Sequence, residues 1–175
     1  MKNRRLLKWF FLLLGATVIF IADFWSKKMV IEGLPLMKYS SPFYPFGGIG
    51  VFYDFFGIDF SIVHVTNHGV AWGFLASWQD YLPFVRIGLI IGLAFYLGIT
   101  KLFFKHPISF AAILTGAVCN VVDYFVYGHV VDMLFVRFWG YAYPIFNIAD
   151  SAIFCGVVSI GISSFTKKPR ALSST

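Results

Sequence analysis

Charge is what this sequence has least of. Only 13% of its 175 residues are Asp, Glu, Lys or Arg, with 8 acidic residues against 14 basic ones. A soluble domain carries about 25%, so the chain lacks the charge to solvate a globular surface. That shortage excludes a disordered region and an ordinary cytosolic enzyme. Cysteine is scarce too: Cys119 and Cys155 each sit inside an apolar run, so a disulfide scaffold is excluded and both read as small buried hydrophobes. No H-E-x-x-H zinc helix, no G-x-S-x-G nucleophile turn, no Gly-rich phosphate loop and no long Lys/Arg block occurs. What is abundant is apolar: 59% of residues are hydrophobic and 21% aromatic. This is the composition of an integral membrane protein.

The net charge of +6 does not point to nucleic acid, because the basic residues form no stripe. They cluster as Lys2, Arg4, Arg5 and Lys8, as Lys101 and Lys105, and as Lys167, Lys168 and Arg170, each beside an apolar run. Such flanks are cytoplasmic under the positive-inside rule, with anionic lipid headgroups as the counter-charge. The spans are read at about 6–26, 82–104, 108–127 and 143–165, each near the roughly 20 residues that cross the hydrocarbon. The first resembles a signal peptide, but bulky Phe20 stands where cleavage after Ala22 wants a small side chain, so it reads as an uncleaved helix. Both termini then face the cytoplasm, and residues 166–175 form a tail.

Residues 28–80 differ from the spans. They are apolar yet broken by Pro42, Pro45, Gly47, Gly48, Gly50 and Gly57, and Phe60 to Thr66 is β-prone. Broken backbone cannot face lipid with unpaired polar groups. The segment is therefore expected outside, or half in the interface, as a small sheet with a short helix. The fold class is an all-α membrane protein of one domain, four helices with this β-rich segment between the first two.

Four acids fall in or at the outer ends of spans: Asp23, Asp123, Asp132 and Asp150. An aspartate at a helix centre costs about 2.5–3.5 kcal/mol to insert, too much for ornament. Asp23 and Lys27 are spaced for an ion pair that ends the first helix. Gly116, Asn120 and Asp123 share one face of the third span. Asn147, Asp150 and Ser151 share the first turns of the fourth, where Pro144 suits a helix start. Asp132 and Asp150 lie on opposite arms of an outer hairpin. Two carboxyls brought together at low dielectric share one proton and can act as base and acid without metal or cofactor. The same acids would serve a proton relay, so a proton-coupled transporter or channel subunit stays open at this point, as does a silent assembly protein. His129 in the outer loop reads as incidental.

Four stretches in order resemble the signal peptidase II family, the bacterial lipoprotein signal peptidases. They are Asp23-Phe24-Trp25-Ser26-Lys27, Asn67-His68-Gly69-Val70-Ala71-Trp72-Gly73, Gly116 through Asp123 continuing to Gly128-His129-Val130-Val131-Asp132, and Phe146-Asn147-Ile148-Ala149-Asp150-Ser151. The resemblance implies an intramembrane aspartic endopeptidase of the bacterial cytoplasmic (inner) membrane. It would cut prolipoproteins just before a diacylglyceryl-modified cysteine, on the extracytoplasmic side, as a monomer and without a cofactor. It makes Asp132 and Asp150 the catalytic pair. Asn67, Gly69, Asn120, Asp123 and Asn147 become pocket residues, and Asp23 and Lys27 a structural motif. Tyr124 and Thr66 stand where the family usually has arginine, Cys119 replaces a glycine, and the outer segment is longer than usual. Arg137, or Tyr124 itself, is expected to replace part of the lost polar contact with substrate.

Overall fold

The computed structural model describes residues 2–38, 43–68 and 81–166. Among the described residues, four helices are long and apolar enough to cross a membrane. They are α1 (Lys2–Gly33), α2 (Leu82–Thr100), α3 (Pro107–Tyr127) and α4 (Ile148–Phe165). A 3-10 turn, Leu102–Lys105, joins α2 to α3. Helix α3 is central and packs against α1, α2 and α4.

Local chemistry sets the ends. Pro107 opens α3, where its missing N–H costs no helical hydrogen bond. Gly128 closes α3 in the left-handed conformation, φ 78°, its N–H bonding the Tyr124 carbonyl at 2.9 Å. Helix α4 begins at Asn147, a capping box in which Asn147 and Asp150 satisfy each other's backbone N–H groups. Helices α3 and α4 approach closely through glycine on both sides. A Cβ on Gly116 would press into the Ala149 carbonyl, and one on Gly156 would meet the Ser109 carbonyl and Ile113.

The strands are β1 (Ile49–Phe55), β2 (Ile58–Asn67), β3 (Val130–Phe138) and β4 (Tyr141–Ala142), an antiparallel sheet in that order. The long pairing is β2 with β3, from Ile58 opposite Phe138 to Asn67 opposite Val130. Val131 and Met133 of β3 and Val30 of α1 form a buried cluster beneath it. The sheet thus ties the end of α1 to the exit of α3.

Four expectations are corrected. Helix α1 does not end near Ser26 but runs to Gly33, because Lys27 is buried against acids and Lys28 pairs with Glu32 at 3.8 Å on the surface. Helix α2 stops at Thr100, where Lys101 turns left-handed at φ 54°. Helix α4 starts at Ile148, not at Tyr143, since the Tyr143 and Phe146 N–H groups bond back to β3 carbonyls. The outer hairpin is not a loop but contributes β3 and β4, so the sheet is larger than residues 28–80 alone supply. The short helix expected in 28–80 is not decided, because residues 39–42 and 69–80 of that segment lie outside the described ones.

Candidate active site

The sheet, α1, α3 and α4 converge on one polar cluster. At its base Lys27 is fully buried, its Nζ 2.6 Å from Asp23 Oδ2 and 2.6 Å from Asp123 Oδ2. Each carboxylate also serves a backbone elsewhere. Asp23 Oδ1 accepts the Ala149 N–H at 2.8 Å, satisfying a free donor at the start of α4. Asp123 Oδ2 accepts the Val131 N–H at 3.3 Å. One cation and two acids from α1 and α3 thereby hold α4 and β3 in place. An ion group this deep survives only because its charges are paired and both carboxylates also accept backbone N–H groups.

Above this base stands a chain of amides. Lys27 Nζ reaches Asn120 Oδ1 at 3.4 Å, and Asn120 Nδ2 donates to Asp150 Oδ1 at 2.8 Å. Asn147 Nδ2 donates to Asn120 Oδ1 at 3.1 Å and to Asp132 Oδ1 at 2.8 Å. Asn67 Nδ2 donates to the other Asp132 oxygen at 2.9 Å. Asp132 on β3 and Asp150 on α4 are therefore pinned by neighbouring amides of one network. Asp132 is 2% exposed, and burial pushes its carboxyl up to about 6; the Asp150 charge acts in the same direction, against the Asn67 and Asn147 amides. A cavity of about 450 Å³ opens beside Asp150, lined by Val136, Phe138, Tyr143, Phe146 and Phe154. Two acids that differ in burial, at the edge of an apolar cavity, are suited to acid–base chemistry on an amphiphile.

The comparisons with known proteins agree. The family described as signal peptidase (SPase) II matches residues 15–166. The chain belongs to the signal peptidase II family. It is a peptidase with four candidate membrane spans. It is 31% identical to the lipoprotein signal peptidase of Campylobacter jejuni over 93% of both chains. It is 33% identical to that of Chlamydia trachomatis, over 88% of this chain and 92% of the relative. A solved bacterial membrane enzyme superposes with a TM-score of 0.71 at 27% identity, covering 90% of this chain and 94% of that one.

Within this signal peptidase II member, Asn67, Asn120, Asp123, Asp132, Asn147 and Asp150 come together, with Asp23 and Lys27 beneath them. Gly69 lies outside the described residues. The structure does not bring Arg137 to this cluster. Its guanidinium lies 3.7 Å from Asp59 and 4.7 Å over the Tyr44 ring, because Arg137 and Asp59 are register partners far along β3. Thr66 pairs with Val131 in the sheet, and Tyr124 lends its carbonyl to the Gly128 cap. Sequence reasoning missed how far the backbone takes part through Val131 and Ala149. The Asn147-x-x-Asp150 spacing was a legible signal for the cap that sets the direction of Asp150.

Proposed function

We propose that the chain removes signal peptides from diacylglyceryl-modified prolipoproteins, cleaving just before the lipidated cysteine, with Asp132 and Asp150 as the catalytic pair. The observation that carries this reading is the amide network that turns two carboxyls from β3 and α4 into one site beside an apolar cavity.

In this reading the pair holds one proton. The ionised carboxylate takes a proton from water as the water oxygen attacks the scissile carbonyl carbon. The protonated carboxyl hydrogen-bonds the carbonyl oxygen and stabilises the charge gathering there. Breakage of the C–N bond follows as a carboxyl returns a proton to the leaving nitrogen, so the two acids exchange roles. Raised proton affinity at Asp132 supports the acid role at the outset. The apolar cavity beside Asp150 suits the hydrophobic parts of such a substrate.

Orientation follows from charge. All the basic clusters flank the ends of the spans away from the aspartates, which favours both termini in the cytoplasm and the site at the outer face of the bacterial inner membrane. A transporter's relay acids would be spread through the membrane thickness, whereas these gather at one end.

The test is cleavage of a diacylglyceryl-modified prolipoprotein by purified wild type, Asp132→Asn and Asp150→Asn. Each variant is expected to lose at least about 10³-fold in turnover while remaining folded, as removal of an essential acid or base does. Wild-type rates in either would overturn the assignment.

A further inference from the structure

The antiparallel register of β2 and β3 runs outward to Asn67 opposite Val130. Just beyond this last pair, the rings of His68 and His129 meet, with centroids 5.5 Å apart and planes inclined by 51°. Each histidine is the residue next to a paired strand end, Asn67 and Val130, so the sheet brings the two rings together. His68 is exposed and His129 half-buried. The acid–amide network uses neither ring.

We propose that His68 and His129 form a two-imidazole clamp for a divalent transition-metal ion of zinc-like chemistry, and that an ion bound there inhibits the peptidase. Zinc–nitrogen bonds of about 2.0–2.1 Å at tetrahedral angles place two imidazole centroids about as far apart as these are. Each neutral imidazole offers one ring nitrogen as a ligand to such an ion. Among the described residues no third histidine, cysteine or carboxylate completes a metal cluster. Water fills the remaining positions, and the ion is an exchangeable effector, not a structural metal.

The clamp sits where it can act on the chemistry. His68 adjoins Asn67, whose amide holds Asp132 at 2.9 Å, and His129 immediately precedes β3, which carries Asp132. A dication here favours the ionised Asp132 carboxylate and depletes the proton that the pair shares. This inhibitory step rests on the proposed acid pair; the binding of metal does not.

The test uses the purified full chain in metal-free detergent, with Zn²⁺ as probe and Mg²⁺ as the hard-cation control. Calorimetry is expected to find one Zn²⁺ per chain and no Mg²⁺ binding at this site. Saturating Zn²⁺ should slow cleavage at least tenfold, and EDTA should restore it. His68→Ala and His129→Ala should each weaken Zn²⁺ binding at least tenfold, while His106→Ala leaves it unchanged. If an alanine variant fails to fold, His129→Gln keeps the side-chain bulk without the imidazole. Undiminished Zn²⁺ binding in the folded variants overturns the site. Zn²⁺ held by both histidines with no effect on cleavage overturns the inhibition, whereas loss of the acid-pair reading would show instead in active Asp132→Asn.

Discussion

Replacing Lys27 with methionine removes a positive charge from a place that water does not reach. The lysine is 0% exposed, and its Nζ lies 2.6 Å from each of two buried carboxylates. Methionine fills similar volume, so the perturbation is electrical and not a cavity. Removing one partner of a buried ion pair costs about 3–5 kcal/mol, because the other charge is left uncompensated. Here two carboxylates lose their shared cation, so that range is the lower bound. A chain of this size shifts its midpoint by about 2–4 °C per kcal/mol, which gives a fall of about 6–20 °C. Thermal unfolding in detergent micelles reads it directly. The companion variant carries Asp23→Asn and Asp123→Asn as well. Its neutral amides still accept from the Ala149 and Val131 N–H groups, so it should recover at least half of the lost midpoint. A Lys27→Met midpoint within about 2 °C of wild type, or a triple variant no better than the single one, would refute this account of the base.

Further outcomes follow from the same geometry. Burial raises the Asp132 carboxyl from 3.8 to about 6, so its contribution to stability is full below about pH 4 and lost as pH rises through about 6. Asp132→Asn does not titrate and should gain on wild type across that window, by about 3 kcal/mol at 1.36 kcal/mol per unit; a difference independent of pH in denaturation series would contradict it. Cleavage by wild type should decline on the alkaline side of about pH 6 as the singly protonated pair is depleted. Gly116→Ala forces α3 and α4 apart at the Ala149 carbonyl and should cost about 1–3 kcal/mol, whereas Gly15→Ala, with open space around it, should be tolerated in the same melting assay. Arg137→Ala removes a half-exposed pair with Asp59 and the contact over Tyr44, and should cost about 1 kcal/mol with cleavage within twofold of wild type. A large loss of cleavage would restore Arg137 to the site.

Much of the site was legible in the sequence because its residues are costly where they stand. Aspartate and asparagine inside apolar runs announce a purpose, and their spacing on α3 and near Asp150 already puts them on shared faces. Where the helices stop was less legible. Lys27, Lys28 and Glu32 look like the end of a span, yet the first is neutralised inside the protein and the others pair along the surface, so α1 continues to Gly33. Strand β3 reads as an apolar outer segment, and its partner β2 lies more than sixty positions earlier, as the Asn67–Asp132 contact shows. Register between such distant segments is set by tertiary packing. The same blindness hid the pairing of Arg137 with Asp59 and of His68 with His129.

The side chains that hold Asp132 and Asp150 are asparagines, and the cation stands one residue behind them. That order has a chemical reason under the proposed mechanism. A lysine in direct contact stabilises an ionised carboxylate and depresses its pKa by about 1–3 units, which would strip the pair of its proton. An amide donor fixes a carboxyl oxygen in place without imposing a full charge on it. Lys27 can therefore orient Asp150 through Asn120 while its own charge is spent on Asp23 and Asp123. The buried ion group supplies rigidity, and the amides pass on position but little net field. A second cation, at the histidine pair beside Asn67, would break that separation, which is why inhibition is the expected consequence of metal there.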